Sequence, residues 1–241
     1  MNVSVYENEA IIGDIAAGLF ADKIRKKPDC VLGLATGSTV LPTYGGLVGL
    51  YERGALDFQP VRTFNLDEYC GIDRTHEQSY YRFMFENLFS RVNIRPENVH
   101  VPAVVSSDPE EDCEAYEAAI EAAGGIDLQL LGIGHNGHIA FNEPSDAFPV
   151  RTHIVCLTES TIEANKRFFA SADEVPRQAI TMGVGTIMKA KEIVLIATGA
   201  GKADAVKAML KGEITPQLPA SILQSHDAVT VLLDKEAASK L

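Results

Sequence analysis

Apolar residues near the start of the chain recur every three or four positions: Ile11, Ile12, Ile15, Leu19, Phe20 and Ile24. That spacing predicts an amphipathic helix from Asn8 to about Lys27, closed by Pro28. The pattern then changes. CVLGLA (30–35) is a continuous apolar run leading into TGST (36–39), and a second helical stretch continues past Leu50. This reads as strand, tight loop, helix. The same grammar returns in VRTFNL (61–66) before an acidic loop, in IDLQLLGIG (126–134) before a glycine-rich segment, and in KEIVLIAT (191–198) before GAGKADAVKAML. AVTVLLD (228–234) makes a last strand, and helical patterns fill SYYRFMFENLF (79–89) and DPEEDCEAYEAAIEAAG (108–124).

Near-continuous apolar strands alternating with helices predict an α/β fold: a mostly parallel, Rossmann-like sheet with helices on both faces. The chain has 241 residues, 46% of them hydrophobic, enough for one substantial core. It shows no internal repeat, low-complexity segment or linker, so a single domain over residues 1–241 is expected. In such sheets ligands bind beyond the carboxyl ends of the strands. The chemistry is therefore to be sought in four loops: TGST, NLDEY, GHNGHIAFNEP and TGAGK.

Composition narrows the partners. A formal charge of −12 argues against a polyanion, because nucleic-acid binding rests on phosphate neutralisation over a basic surface. No run of 18 apolar residues is present, and MNVSVYENEA is polar and acidic where a signal peptide would be basic and then greasy. No membrane partner is expected. Cys30, Cys70, Cys113 and Cys156 form no CxxC pair, and buried, reduced thiols in a cytoplasm are the expectation.

Gly132, Gly134 and Gly137 satisfy G-x-G-x-x-G after a strand, with Glu159 about twenty residues on. A dinucleotide fingerprint needs a helix opening on its third glycine, yet HIAFNEPSDAFP follows, and Pro144 and Pro149 block such a helix. That reading is rejected. His135, His138 and Glu143 could suggest a metal, but no H-E-x-x-H or second ligand cluster accompanies them, so no metal or other cofactor is expected. An isolated His/Glu pair is more often a structural histidine beside a solvated acid. Here His138 and Glu143 share a glycine-rich loop at a strand's carboxyl end, where the carboxylate can fix the imidazole's tautomer and raise its basicity. Asp67 and Glu68 could form an exposed acidic turn, or supply a base for a carbon-bound proton if partly buried. Thr36, Gly37, Ser38 and Thr39 offer hydroxyls and amides to an anion at a helix N-terminus, and GAGK repeats the arrangement with Lys202. It is not a Walker A loop, since Ala203 follows Lys202. The residues thus point to a small phosphorylated substrate handled by acid and base groups.

GHNGHIAFNEP, with ATGSTVLPTYGGL, TFNLDEYCGI, QSYYRFMFENLF and MGVGTIMKAKEIVLIATGAGKADAV, closely resembles the glucosamine-6-phosphate deaminase family, whose motifs appear in family order across essentially the whole chain. The resemblance implies the deaminase/phosphogluconolactonase type of fold and conversion of glucosamine 6-phosphate and water into fructose 6-phosphate and ammonia. It implies that His138 opens the sugar ring, oriented by Glu143, and that Asp67 moves a proton from C2 to C1. It also maps phosphate contacts onto Ser38, Thr39, Arg167 and Lys202, the sole basis for Arg167. Many family members carry aspartate where this chain has Asn136; an amide cannot take a proton at neutral pH, so only an orienting role is expected there. Longer hexameric members bind N-acetylglucosamine 6-phosphate through basic residues after the FNEP loop and a C-terminal extension. This chain has His153 and Val155 at the matching positions and stops at Leu241, so a non-allosteric monomer or small homo-oligomer is expected. A lid over about 158–173, carrying Arg167, is a further expectation. Rival readings are a sugar-phosphate lactonase, which would not need Asp67, and a sugar-phosphate sensor, which would need a DNA-binding module.

Overall fold

The computed structural model describes residues 1–157, 162 and 175–241. Its main layer contains β1 (Asn2–Tyr6), β2 (Val31–Leu34), β3 (Arg62–Asn65), β5 (Val99–His100), β6 (Leu128–Leu131), β9 (Ile193–Ala197) and β10 (Val229–Asp234). The order is β1-β10-β9-β6-β2-β3-β5, and every pair is parallel. The five strands expected from apolar runs are β2, β3, β6, β9 and β10. Side chains of β2, β6 and β9 are buried throughout, as strands covered on both faces must be.

β1 and β5 escaped the pattern. β1 is an edge strand whose Val3 and Val5 remain 42% and 49% exposed, so it is held by backbone pairing to β10 and its valine face is left in solvent. β5 has two residues. A second, antiparallel sheet was also not foreseen: β4 (Asp67–Tyr69), β8 (Gln178–Thr181) and β7 (His153–Cys156), in the order β4-β8-β7. These strands are three or four residues long and, unlike the equally short β2, do not sit in a continuous buried apolar run.

Helix α1 (Glu9–Lys26) starts where Asn8 accepts the Ile11 N–H at 3.0 Å. Helix α2 (Leu41–Glu52) lies so close to α1 that a Cβ on Gly13 would sit 2.3 Å from Pro42, and one on Gly46 2.7 Å from Ala17. Helices α3 (Tyr80–Asn87) and α4 (Pro109–Ala122) open on Ser79 and Asp108 caps, and a further helix spans Ala203–Lys211. From β2 the chain moves to β3 and β5, then returns past β2 to β6, β9 and β10. Right-handed crossovers therefore put α1 and α2 on one face, and α4 and the helix Ala203–Lys211 on the other. The reversal lies between β2 and β6, and a crevice opens there beyond the strands' carboxyl ends. Beneath it Phe20, Leu34, Leu47, Phe64, Leu130, Leu131 and Leu195 are fully buried.

The cysteine expectation needs correcting. Cys30 and Cys113 are buried, but Cys70 is half-buried and Cys156 is exposed, because β7 belongs to the small sheet and turns this side chain outward. Glu159, Arg167 and nearly all of the expected lid lie outside the described residues.

Candidate active site

A cavity of about 500 Å³ occupies the crevice and is lined from all four predicted loops, by Thr36 and Thr39, Asp67, Asn136, His138 and Glu143, and Lys202.

Asp67 opens β4, and the residue is only 7% exposed. The alternative of a surface acidic turn is excluded, because Glu68 is buried as well. Successive strand residues face opposite ways, and the two carboxyls have different surroundings. Glu68 Oε1 accepts the N–H groups of Tyr69 and Tyr80, and Oε2 accepts the Ser79 hydroxyl and the Tyr81 N–H, all at 2.9 Å. It is a charge neutralised by the start of α3, where the helix dipole favours an anion. The Asp67 carboxyl makes no hydrogen bond among the described residues. Burial first, and the Glu68 charge second, push it up to about 8.

The loop after β6 is folded tightly on itself. Gly134 N–H donates to the His138 carbonyl at 2.9 Å, and Gly137 takes φ +81°, which L-residues with a Cβ avoid. The His138 ring lies against Gly134 so closely that a Cβ there would come within 2.3 Å of it. Its Nδ1 is 3.3 Å from Glu143 Oε1, an ion-pair distance reached too obliquely for a formed hydrogen bond. Asn136 joins the two: its amide nitrogen donates to Glu143 Oε2 at 2.6 Å, and its carbonyl accepts the His138 backbone N–H at 3.2 Å. Downstream, Ala140 has φ +53°, the one positive φ outside glycine among the described residues. The Asn142 amide holds that turn by donating to the Ile139 and Met182 carbonyls, both at 2.9 Å.

Two loops of similar build face this pair. Gly37 (φ +105°) leads into the 3-10 turn Ser38–Val40 and then α2; Gly199 (φ +86°) leads into the turn Ala200–Lys202 and the helix Ala203–Lys211. First-turn amides have no partner within their helix and can face an anion, but in the second loop the Gly199 and Ala200 N–H groups are taken by the Asp234 and Glu236 carboxylates. The buried Tyr44 hydroxyl donates to the Ala35 carbonyl and ties α2 to the first loop. Lys202 forms no ion pair among the described residues, and burial pushes its amine down from the ordinary lysine value. Gly37 and Ser38 are exposed and do not line the cavity; Gly37 supplies the turn, and Ser38 begins it.

Residues not singled out from the sequence also line the cavity: Leu66, Tyr80 and Phe141. Tyr80 stacks on Phe141 at 6.1 Å between centroids and 10° between planes, and burial drives its phenol well above the ordinary range. The Ser79 cap directly before paired tyrosines was the available signal. Among the described residues no cluster of three His, Cys, Asp or Glu side chains could hold a metal ion, and no helix is long and apolar enough to cross a membrane.

The sequence model described as glucosamine-6-phosphate isomerases/6-phosphogluconolactonase matches residues 9–232. The chain belongs to this family. The glucosamine-6-phosphate deaminase of Thermoanaerobacter sp. (strain X514) is 55% identical over 239 residues, covering 99% of this chain and 94% of the relative. That of Clostridium perfringens (strain ATCC 13124) is 52% identical over 241 residues and covers both chains completely. Among solved structures, a monomeric glucosamine-6-phosphate deaminase superposes with a TM-score of 0.96 at 44% identity over 100% of both chains. A 6-phosphogluconolactonase from Trypanosoma brucei gives 0.78 at 22% identity, over 100% of this chain and 98% of the other, a likeness of fold. The family's two named activities thus share one scaffold, and the cavity's own groups must distinguish them.

Proposed function

We propose that the chain is a glucosamine-6-phosphate deaminase, converting glucosamine 6-phosphate and water into fructose 6-phosphate and ammonia. The observation that carries the choice is Asp67, a buried carboxyl without a hydrogen-bond partner among the described residues, pushed up to about 8 in the same cavity as the His138–Glu143 pair. A base for a carbon-bound proton needs such tuning. Lactone hydrolysis removes no carbon-bound proton.

In this reading the phosphate lies against the amides and hydroxyls of the Thr36–Thr39 loop and against Lys202. Thr36 and Thr39 are the members of that loop that reach the cavity, with Gly37 and Ser38 shaping its turn, and Arg167, by the family resemblance, adds a further cation. His138 takes the C1 hydroxyl proton as the C1–O5 bond breaks, and the proton ends on O5. Glu143 faces the imidazole and stabilises its charged form, while Asn136 holds both groups in place without exchanging a proton. Ionised Asp67 removes the C2 proton from the open-chain aldehyde, whose amine is an ammonium, while O1 takes one of the ammonium protons, giving a neutral enolamine; Asp67 then returns its proton to C1, leaving an iminium at C2. The iminium adds water and releases ammonia, leaving the ketone. The chain acts as a non-allosteric monomer or small homo-oligomer; the monomeric state of the solved relative supports the monomer.

The test is to incubate the protein with glucosamine 6-phosphate in EDTA and to assay ammonia and fructose 6-phosphate together, with Asp67→Asn as control. Equal amounts of both products, abolished by the substitution, are expected. No ammonia, together with hydrolysis of 6-phosphogluconolactone, would replace this reading with the lactonase.

A further inference from the structure

His135 has no role in the chemistry above, yet it bridges two loops of the cavity. Its Nδ1 lies 2.9 Å from the carbonyl oxygen of Gly201, so this nitrogen carries the proton and donates it. The contact is also steric: a Cβ at Gly201 would sit 2.8 Å from the His135 Cε1 and 3.1 Å from Nδ1, so a methyl there must displace the exposed ring or the loop. The other side of the loop is held from the end of β10, where Asp234 accepts the Gly199 N–H at 2.8 Å and Glu236 accepts the Ala200 N–H at 3.3 Å. Lys202, next in the chain, faces the cavity with His135.

We infer that His135 is a positioning residue for the phosphate subsite: it locks the Gly199–Lys202 loop to the loop that carries His138, and so sets the separation between Lys202 and the ring-opening groups. This rests on the proposed function, because a sugar phosphate must reach both loops at once. A ligand held at both ends gains from a fixed separation, since the loop need not be ordered on binding. The geometry distinguishes the variants. An Asn side chain places an N–H donor where the His Nδ1–H stands, a Gln places it one atom further out, and an Ala has none.

The experiment measures two quantities for the parent and for His135→Ala, His135→Asn and His135→Gln: the Kd of inorganic phosphate by calorimetry, and the KM and kcat for glucosamine 6-phosphate. Loss of one hydrogen bond of ordinary strength predicts a rise of about fivefold in phosphate Kd and in KM for Ala and Gln, with kcat within about twofold, and recovery in Asn. Gly201→Ala, which parts the loop from the ring, should reproduce the Ala result in a protein that still has His135. Equal phosphate affinity in all variants, a loss carried by kcat with KM unchanged, or no rescue by Asn would each overturn the inference. A parent that binds phosphate but releases no ammonia would refute the deaminase reading while leaving the phosphate comparison to decide the role of His135.

Discussion

Replacing Asp67 with asparagine should abolish turnover and, above pH 5, make the protein more stable. The carboxyl is nearly inaccessible and its pKa rises from the ordinary 3.8 to about 8, chiefly by burial. A carboxyl whose pKa is higher folded than unfolded keeps its proton longer in the folded chain. Between about pH 4 and 8 the unfolded state binds fewer protons, so stability falls as pH rises through that window. At ~1.36 kcal/mol per pH unit, the interval from 3.8 to about 8 corresponds to about 6 kcal/mol of destabilisation in full. Asparagine has nearly the same shape and no charge to desolvate, so its stability lacks this pH dependence. Urea unfolding of both proteins at pH 5 and pH 8 should show the variant's advantage widening by about 2–4 kcal/mol, the lower part of the range allowing for water at the cavity mouth. A gap that stays constant between the two pH values would refute a buried, uncompensated carboxyl. A variant less stable than the parent at pH 8 would do so as well. The expected result is a site that exchanges stability for a tuned base.

Further expectations follow from neighbouring groups. In the parent, kcat/KM should rise with pH through an acid limb near 8. Glu68→Gln removes the second cause of the Asp67 shift and should move that limb to lower pH, still above the ordinary carboxylate range because burial remains; an unmoved limb would show that Glu68 does not act on Asp67. The same change turns an acceptor of the Ser79 hydroxyl and Tyr81 N–H into a donor, so a stability loss of about 1–3 kcal/mol in thermal unfolding is expected alongside. Asn136→Ala removes the amide contacts to Glu143 and to the His138 backbone, and kcat should fall about 10–100-fold, the usual effect of losing an orienting partner; unchanged kcat would remove Asn136 from the site. Asp127, at the opposite end of the sheet, pairs with Lys27 and Lys191 at 2.7 Å each and accepts the Val31 N–H at 2.8 Å. Burial would raise its pKa, but these partners outweigh it and carry it down to about 2. Its stabilisation should be present above about pH 4 and be lost as pH falls towards 2, and Asp127→Ala should remove that acid dependence in urea titrations.

Where one strand or helix could satisfy its own pattern, the sequence was enough to read it. β2 and β9 are apolar on both faces because helices cover both, and that burial is written as continuous runs; β6 is interrupted by the buried Gln129 alone. In α1 the pattern is half right: Ile12, Phe20 and Ile24 are buried, while Ile11, Ile15 and Leu19 remain exposed. Because ligands in parallel sheets sit beyond the strands' carboxyl ends, the four loops could be named before any coordinate was known, and all four line the cavity. Tertiary structure alone decided the rest. Asp67 and Glu68 are adjacent acids with identical local signals; one became a buried carboxyl with no hydrogen-bond partner among the described residues and the other a capped one, because β8 pairs with β4 and α3 begins over Glu68. No window of sequence contains that pairing, which joins residues more than a hundred positions apart. The same holds for His135 and Gly201, whose contact exists only because β6 and β9 are neighbours in the sheet. Hydrophobic periodicity records how each element meets the core; the pKa of a carboxyl and the spacing of two loops depend on which elements meet each other.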